Sequence, residues 1–274
     1  MEEAQRERAA RFLALHKGPG ILLLCNAWDA ASARVVETAG FPAIATTSAG
    51  VANSLGFSDG EAAPFAEVVA AVERIVAAVR VPVSADIEAG FGQTPEELAR
   101  SCRAIVEAGA IGVNLEDGPA GQDRLSPISL QRERIRAAKE AAADLVVNAR
   151  TDVYLDAIGE PETRFEEAVR RSNAFRDAGA DCLFVPGVAD EETIGRLVQA
   201  INGPVNILAG PGSPSIATLA RLGVARVSLG SGPMRATLGL LRRVARELIE
   251  SGTYATMASD AIPYDEANEL FTRR

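Results

Sequence analysis

The chain has 274 residues, of which 47% are apolar, and a formal net charge of −9 at pH 7. This length fits one large α/β barrel or two small domains, and no basic cluster interleaves with aromatic residues, which argues against nucleic-acid binding. The three cysteines, Cys25, Cys102 and Cys182, form no CxxC pattern, which argues against a disulfide framework or a zinc site and favours a reducing cytoplasm. The charged N-terminal segment lacks the apolar stretch of a secretory signal, and the apolar runs are too short to span a bilayer.

Short β-branched segments alternate with helical segments rich in Ala, Glu and Arg along the whole chain. The helical segment "TPEELARSCRAIVEAGA" is typical, because Thr94 and Pro95 suit an N-cap and a first helical residue and its Ala-Gly ending suits a C-cap. The predicted strands are ILLLC from Ile21, AIATTS from Ala43, VPVSAD from Val81, IGVNLE from Ile111, LVVNAR from Leu145, CLFVPG from Cys182, PVNILA from Pro204 and RVSLGS from Arg226.

This alternation predicts a parallel sheet, and eight strand-helix units in about 250 residues have the size of an α/β (β/α)8 TIM barrel. An open, doubly wound sheet is the alternative, but no GxGxxG follows the first strand. No linker divides the chain, so residues 1–274 are predicted to form a single barrel domain with 252–274 as a C-terminal helical extension. We expect this extension to cap the barrel, to pack on a neighbouring subunit, or to lie as a surface helix on its own subunit.

Acidic residues are concentrated where the predicted strands end, which is the end at which such barrels carry their chemistry. Asp86 and Glu88 follow the third strand, and side chains two residues apart in a strand share a face. The other polar residues at this end are Glu116 and Asp117 after the fourth strand, Arg150 and Asp152 after the fifth, Ser48, Gly50 and Asp59 after the second, and Asn206 in the seventh. Because they come from a run of strands, they are predicted to converge on one mouth.

Asp86, Glu88 and Glu116 together predict a metal site, because several carboxylates share a small space only with a cation or shared protons. Oxygen ligands favour Mg²⁺ or Mn²⁺ over zinc, and Mg²⁺ keeps several waters, so some of the acids would hold it through water. Arg150 carries a planar guanidinium that suits a substrate carboxylate or phosphate.

Simpler roles compete with these interpretations. Asp59 and Asp152 also suit N-caps or solvated loop positions, and Arg150 also suits a structural ion pair. His16, the only histidine, precedes the first strand and is interpreted as a surface or helix residue. Trp28 is interpreted as part of the wall, and the three cysteines as core residues.

Four motifs resemble the isocitrate lyase and phosphoenolpyruvate mutase superfamily, over about 20–235. The opening segment NAWDAASARVVETAGFPAIATTSAGVANSLGFSDGE resembles the start of that family. DIEAGFG resembles its Asp-x-Asp-x-Gly-Phe/Tyr-Gly metal motif, with Glu88 in place of the second Asp. GVNLEDG resembles its Gly-Val-x-x-Glu-Asp motif, and NARTD resembles its arginine strand.

The resemblance implies a magnesium site that uses Asp86, Glu88 and Glu116, with Asp59 holding a water. It implies that Ser48, Ala49 and Gly50 cradle a substrate carboxylate and that Arg150 binds substrate. It also implies a 2-oxo acid, or a compound cleaved to one, as the substrate. Homo-oligomers are expected, often tetramers that exchange C-terminal helices between subunits.

The segment EDGPAGQDRLSP, after the fourth strand, departs from the family pattern. It has neither the Cys-Gly-His core of the lyases nor the Lys and the Asn-Ser pair of the mutases. We therefore predict a Mg²⁺-dependent carbon-carbon lyase that forms a metal-stabilised enolate, as in decarboxylation of an oxaloacetate-like acid, because loss of CO₂ needs no base. Retro-aldol cleavage of a related 2-hydroxy acid comes second. The alternatives are an enzyme similar to phosphoenolpyruvate mutase, phosphonopyruvate hydrolase or methylisocitrate lyase, and a non-catalytic barrel that binds an acidic metabolite.

The same segment, Gly118 to Pro127, is predicted to be a lid over the metal. Its glycines and lack of periodicity are typical of mobile loops at a barrel mouth. Gln122, Asp123 and Arg124 can meet substrate, and Arg124 is the expected contact. The alternative is a fixed turn in which Arg124 is solvated.

Overall fold

A parallel sheet of nine strands forms the centre of the molecule in the computed structural model, which describes residues 1–18, 20–118, 124–258 and 261–272. All strand pairs are parallel, in the order β1-β9-β8-β7-β6-β5-β4-β3-β2. The strands are β1 (Leu22–Leu24), β2 (Asn26–Ala27), β3 (Ile44–Thr46), β4 (Val83–Asp86), β5 (Gly112–Glu116), β6 (Val146–Arg150), β7 (Cys182–Phe184), β8 (Val205–Leu208) and β9 (Arg226–Ser228). The predicted barrel is confirmed, and each predicted strand contains an observed one.

Helices follow the strands and surround this sheet. They are α1 (Glu3–Leu15), α2 (Ala30–Thr38), α3 (Ser48–Leu55), α4 (Phe65–Ala78), α5 (Pro95–Glu107), α6 (Ile128–Ala141), α7 (Arg164–Asp177), α8 (Glu191–Ala200), α9 (Ile216–Arg221), α10 (Gly232–Ser251), α11 (Ala255–Ala258) and α12 (Tyr264–Glu269). None of the helices in the described ranges is both long and apolar enough to cross a membrane.

The predicted first strand ends at Cys25, whereas the chain continues past Cys25 into a second short strand, β2, and this break between β1 and β2 closes the barrel. β1 pairs with β9, whereas β2 pairs with β3, so the two ends of the sheet meet in one continuous segment of chain. The Asn26 side chain bridges the seam: its amide nitrogen donates to the Thr46 carbonyl at 2.8 Å, and its oxygen accepts from the N–H groups of Leu229 and Gly230 at 2.8 and 2.9 Å. A side-chain amide therefore joins β3 to the end of β9 where the backbone ladder is interrupted.

Helix α5 shows how the sequence specifies the outer layer. Thr94 and Glu97 form a reciprocal capping box, and Pro95 occupies the first turn, which confirms the predicted start of this helix. Leu98, Cys102 and Ile105 recur on one face and are fully buried. They belong to the core between the strands and the surrounding helices.

Helix α1 closes the N-terminal end of the barrel. Phe12 is fully buried and packs with Leu22, Ile111 and Val146, which lie at or beside the first residues of their strands. His16 follows the helix and is 5% exposed, so it is a buried residue and not a surface one. Its Nδ1 lies 2.9 Å from the Phe12 carbonyl oxygen, which makes Nδ1 the protonated nitrogen of the neutral ring.

We expect His16 to make the fold sensitive to acid. Burial, with a smaller effect from the charge of Arg226, lowers the pKa of His16 from 6.5 to about 4. As the pH falls, the unfolded chain therefore takes up this proton at a higher pH than the folded chain does. The contribution of neutral His16 to stability is complete above pH 6.5 and is lost as the pH falls towards 4. A shift of this size corresponds to about 2 kcal/mol of unfolding free energy between pH 7 and pH 5. Urea denaturation at both pH values should show a smaller acid-induced loss in His16→Gln than in wild type, and an equal loss in the two proteins would contradict this role.

Candidate active site

A cavity of about 300 Å³ opens among the C-terminal ends of the strands. Most of its walls come from strand ends and from the loops and helix starts that follow them. Its polar lining consists of Asn26, Thr46, Thr47, Ser48, Asp59, Ser84, Asp86, Asn114, Asn148, Arg150, Arg226, Ser228, Ser231 and Arg235. The convergence predicted from the strand order is therefore present for Ser48, Asp59, Asp86 and Arg150.

Asp86 is fixed at the end of β4 by donors on both sides. Its Oδ2 accepts from the Ser48 N–H at the start of α3 at 2.9 Å, and its Oδ1 accepts from the Asn114 side-chain amide at 2.9 Å. Asn114 is itself held by Asn148, whose amide nitrogen donates to the Asn114 side-chain oxygen at 2.9 Å. Because each of these contacts supplies a donor to the carboxylate or orients one, the arrangement holds the Asp86 side chain in a single orientation.

Glu88 holds the loop that carries Asp59. Its Oε2 accepts from the backbone N–H groups of Gly60 and Glu61, both at 2.7 Å. The φ angle of Glu88 is 52°, in the left-handed region that a residue with a side chain seldom adopts, so the surrounding contacts hold its backbone in a strained conformation. Burial, together with the charges of Asp59 and Asp86, raises the pKa of Glu88 to about 7.

Arg150 is already paired with two acids. Its Nη1 lies 2.8 Å from Glu116 Oε2, and its Nε lies 2.5 Å from Asp152 Oδ1. The Asp152 N–H donates to Asp117 at 3.1 Å, and the other Asp117 oxygen lies 3.0 Å from Arg171 on α7. A connected series of charged residues therefore runs from the cavity wall into the outer layer, and the predicted structural ion pair of Arg150 is present.

The acids around Asp86 repel one another. Burial is the main cause of the raised pKa of Asp59, Glu88 and Glu116, and the charge of Asp86 adds to the rise in all three. Arg150 offsets part of this effect at Glu116. The cluster therefore holds more negative charge than the cations in direct contact with it can balance, which is the environment that a divalent cation stabilises.

The donor set fits a hydrated hard cation. Within the described ranges, no three acids, histidines or cysteines come close enough together to enclose a metal ion directly. Mg²⁺ commonly keeps several waters and takes only one or two protein carboxylates, so acids spread around Asp86 suit it better than a closed cage. The ligand set Asp86, Glu88 and Glu116 stays a prediction in this water-mediated form.

The predicted substrate-binding residues occupy different places. Ser48 and Ala49 line the cavity at the start of α3. Gly50 packs beneath them, where an added Cβ would lie 2.7 Å from Trp28 Cβ. Asn206 is fully buried, and its amide nitrogen donates to Ser228 Oγ at 3.3 Å. Neither Gly50 nor Asn206 is among the described residues that line the cavity.

The predicted lid lies largely outside the described residues, which exclude 119–123. Its two ends are close together, because the Ser126 N–H donates to the Asp117 carbonyl at 2.8 Å and Arg171 Nη1 donates to the Ser126 carbonyl at 2.9 Å. Arg124 is exposed, and its contact with substrate stays a prediction.

Sequence reasoning missed ten polar residues of the lining, of which five carry an amide or a guanidinium group. Strand alternation gives a signal for Asn114 and Asn148, which lie two residues before Glu116 and Arg150 and so share their faces. Asn26 lies just after the predicted first strand, which ends at Cys25. Arg226 begins the predicted eighth strand, and Arg235 lies in the first turn of α10. These two carry no motif that distinguishes them from ordinary surface arginines.

The profile of the family described as phosphoenolpyruvate phosphomutase matches residues 12–249. The chain belongs to this family. The resemblance to the isocitrate lyase and phosphoenolpyruvate mutase superfamily is thereby confirmed. An uncharacterized protein of Mycobacterium tuberculosis is 35% identical over 258 residues, which cover 92% of this chain and 96% of the relative. The 2-methylisocitrate lyase of Bacillus subtilis is 32% identical, over 76% of this chain and 68% of that enzyme.

Relatives with other activities share the same fold. The oxaloacetate decarboxylase 2 of Pseudomonas fluorescens is 27% identical, over 92% of this chain and 88% of that enzyme. A solved structure described as a lyase/mutase from Burkholderia cenocepacia is 38% identical, covers 99% of this chain and 98% of its own, and has a TM-score of 0.91. Phosphonopyruvate hydrolase, solved with oxalate and Mg²⁺, has a TM-score of 0.85 at 25% identity, over 96% of this chain and 94% of its own.

The double pairing of Arg150 predicts a large loss of stability on its removal. Arg150→Met leaves Glu116 and Asp152 buried without a cation, which should reduce the unfolding free energy by about 3–5 kcal/mol. Adding Glu116→Gln should restore at least about 1 kcal/mol, because one unpaired charge is then removed. Arg170→Met, in an exposed pair with Glu167, serves as the control and should cost less than about 1 kcal/mol. Chemical denaturation of the four proteins measures this, and equal losses for the two arginine variants would refute the ion-pair role.

Proposed function

We propose that this chain is a Mg²⁺- or Mn²⁺-dependent carbon-carbon lyase that removes a carboxylate from a small, oxaloacetate-like 2-oxo acid. One observation carries the choice: the described lining contains Asp59, Asp86 and three arginines but no His, Cys, Lys or Tyr. Release of CO₂ from a 2-oxo acid with a β-carboxylate needs no general base, whereas cleavage of a 2-hydroxy acid does. Asp59 and Asp86 are thus the only acid-base groups among the described lining residues, and decarboxylation, which needs only a proton donor after CO₂ leaves, makes the smallest demand on them.

Asp86 is the proposed direct ligand of the cation, because its carboxylate lines the cavity and is held in one orientation by Ser48 and Asn114. Glu88 and Glu116 would hold the cation through water. A bound Mg²⁺ would supply a Lewis acid that polarises the keto group and stabilises the negative charge that develops there.

The start of α3 is the proposed site for the substrate carboxylate. Ser48 and Ala49 line the cavity there, and the first N–H groups of a helix have no partners within it. Arg150 adds positive charge beside them, and its Nη2 is separate from the two atoms paired with Glu116 and Asp152. Asp59 is the proposed proton carrier that works with water, since burial raises its pKa.

The alternatives make different demands on the site. An enzyme similar to methylisocitrate lyase would need an acid or base, and the cysteines do not suit that role. Cys102 and Cys182 are buried, and burial raises the pKa of each thiol to about 12. An enzyme similar to phosphoenolpyruvate mutase or phosphonopyruvate hydrolase would act on a phosphonate or phosphate, which Arg150 also suits. A barrel that only binds an acidic metabolite would show no turnover with any of these compounds.

The test is the release of pyruvate from oxaloacetate, with and without Mg²⁺, compared with the rate in free Mg²⁺ alone. Asp86→Asn keeps the shape but removes the charge, so it should lower Mg²⁺-dependent kcat/KM by at least about 100-fold. Asp144→Asn, at an exposed position, is the matched control and should equal wild type. Turnover of 2-methylisocitrate or phosphonopyruvate, but not of oxaloacetate, would favour one of the alternative activities. If Asp86→Asn responded to Mg²⁺ as wild type does, the assignment of Asp86 as a metal ligand would be wrong.

We also propose that the chain works as a homo-oligomer in the cytoplasm, where its three free cysteines would remain reduced. Leu238, Leu241 and Leu248 recur at helical spacing on α10 and are 49–61% exposed. Beyond α10, several large apolar side chains of the extension are exposed as well, including Tyr254, Met257, Tyr264 and Phe271. Several exposed apolar side chains on one helix and on the segment after it are typical of a subunit interface, and a second copy of the chain is the proposed partner.

Leu241→Glu should weaken this assembly, because it places a charge at the centre of the apolar face of α10. Light scattering coupled to gel filtration should show a smaller mass for the variant than for wild type at equal concentration. Ile216→Glu on α9 is the control, since Ile216 is 37% exposed and lies on another helix. A monomeric wild-type protein, or equal masses for all three, would count against the oligomer.

A further inference from the structure

Arg226 is a buried cation, and two of its three guanidinium nitrogens have no hydrogen-bond partner among the described residues. It begins β9, is 2% exposed and is among the residues that line the cavity. Its Nε and Nη1 are both buried, and neither has a hydrogen-bond partner among the described residues. No acid within the described ranges forms an ion pair with it. A guanidinium taken out of water without partners is strongly destabilising, so its presence calls for a ligand or a compensating contact.

The groups around Arg226 leave its charge largely unbalanced. Below it, the guanidinium carbon lies 5.8 Å from the centre of the Phe12 ring, a weak cation–π contact. His16 is neutral on the same side, and the Cys182 thiol on β7 is protonated near neutral pH. Asp86 attracts Arg226 from across the barrel, but its two oxygens already accept from Ser48 and Asn114.

The arginines of the cavity differ in what they can offer an anion. Two of the three guanidinium nitrogens of Arg150 are paired with Glu116 and Asp152. Arg226 also lines the cavity, and its buried Nε and Nη1 have no partner among the described residues. Asn148 also lines the cavity, and its buried side-chain oxygen has no partner among the described residues. The cavity lining therefore includes an unpaired acceptor, on Asn148, as well as the unpaired donors of Arg226. A group that accepts from Arg226 and brings a water to Asn148 would satisfy both.

We propose that Arg226 binds the second carboxylate of a dicarboxylic substrate at the floor of the cavity. The first carboxylate would then lie at the start of α3, near Ser48 and Ala49, so that the substrate spans the cavity from mouth to floor. This assignment rests on the proposed function, whose substrate is a diacid, and adds the residue that distinguishes diacids from monoacids. A planar guanidinium that meets a carboxylate in a dry pocket suits this role, because its two parallel N–H donors match the two oxygens.

The test compares the binding of unreactive acids of matched length. Titration calorimetry with malonate against propionate, and with succinate against butyrate, measures the preference for a second carboxylate, with and without Mg²⁺. We expect wild type to bind one of the diacids at least about tenfold more tightly than its matched monoacid. Arg226→Met should abolish this ratio while monoacid binding stays within about twofold, and Arg226→Lys should retain part of it. Arg221→Met, at an exposed position on α9, should behave as wild type.

Stability separates this role from a structural one. Arg226→Met removes an unpartnered buried charge with a side chain of similar length, so its melting temperature should equal or exceed that of wild type. The proposal would be overturned if wild type showed no preference for diacids, or if the preference survived in both Arg226 variants. It would also be overturned if the variants lost diacid and monoacid binding equally, or if both failed to fold. Because the probes do not react, the binding ratio is measured whether or not oxaloacetate is turned over.

Discussion

The constraint on which the site depends is an excess of negative charge in a small, largely buried space. Asp86 lies at its centre, fixed by donors from α3 and β5, and its charge raises the pKa of Asp59, Glu88 and Glu116. Such a cluster is unfavourable in isolation, since burial and mutual repulsion both oppose ionisation. The contacts that hold it are correspondingly specific: two backbone N–H groups at Glu88 and one guanidinium at Glu116.

Membership of the phosphoenolpyruvate phosphomutase family gives this arrangement a chemical context without fixing the reaction. Relatives named as 2-methylisocitrate lyase and oxaloacetate decarboxylase both align with most of this chain. The strands and the acids on them set what the barrel can hold, whereas the loops and the innermost side chains determine which acid enters and which bond breaks. In this chain the described lining has three arginines and two aspartates but no His, Cys, Lys or Tyr.

Much of this architecture is predictable from the sequence, because hydrophobic strands and capped helices leave local patterns. The start of α5 and the position of Asp86 at the end of β4 follow from residues adjacent in the chain. The split at Cys25 is not predictable in this way, since it reflects how the two ends of a closed sheet meet. The pairing of Arg150 with Glu116, and the burial of Arg226, also depend on neighbours brought together by the tertiary structure.

The seam at Asn26 has a consequence for the order in which the site is assembled. Strands β3 to β8 each pair with a neighbour along the chain, whereas β1 must meet β9, more than 200 residues away. Closing so large a loop costs chain entropy, and contacts between residues far apart in the chain form slowly. We therefore expect the barrel to close late in folding. Before closure, β4 and β5 already carry the acids, but Arg226 on β9 has no enclosed space around it. The acids on β4 and β5 are thus brought together early in folding, and Arg226 becomes part of an enclosed cavity only when the two ends of the sheet join.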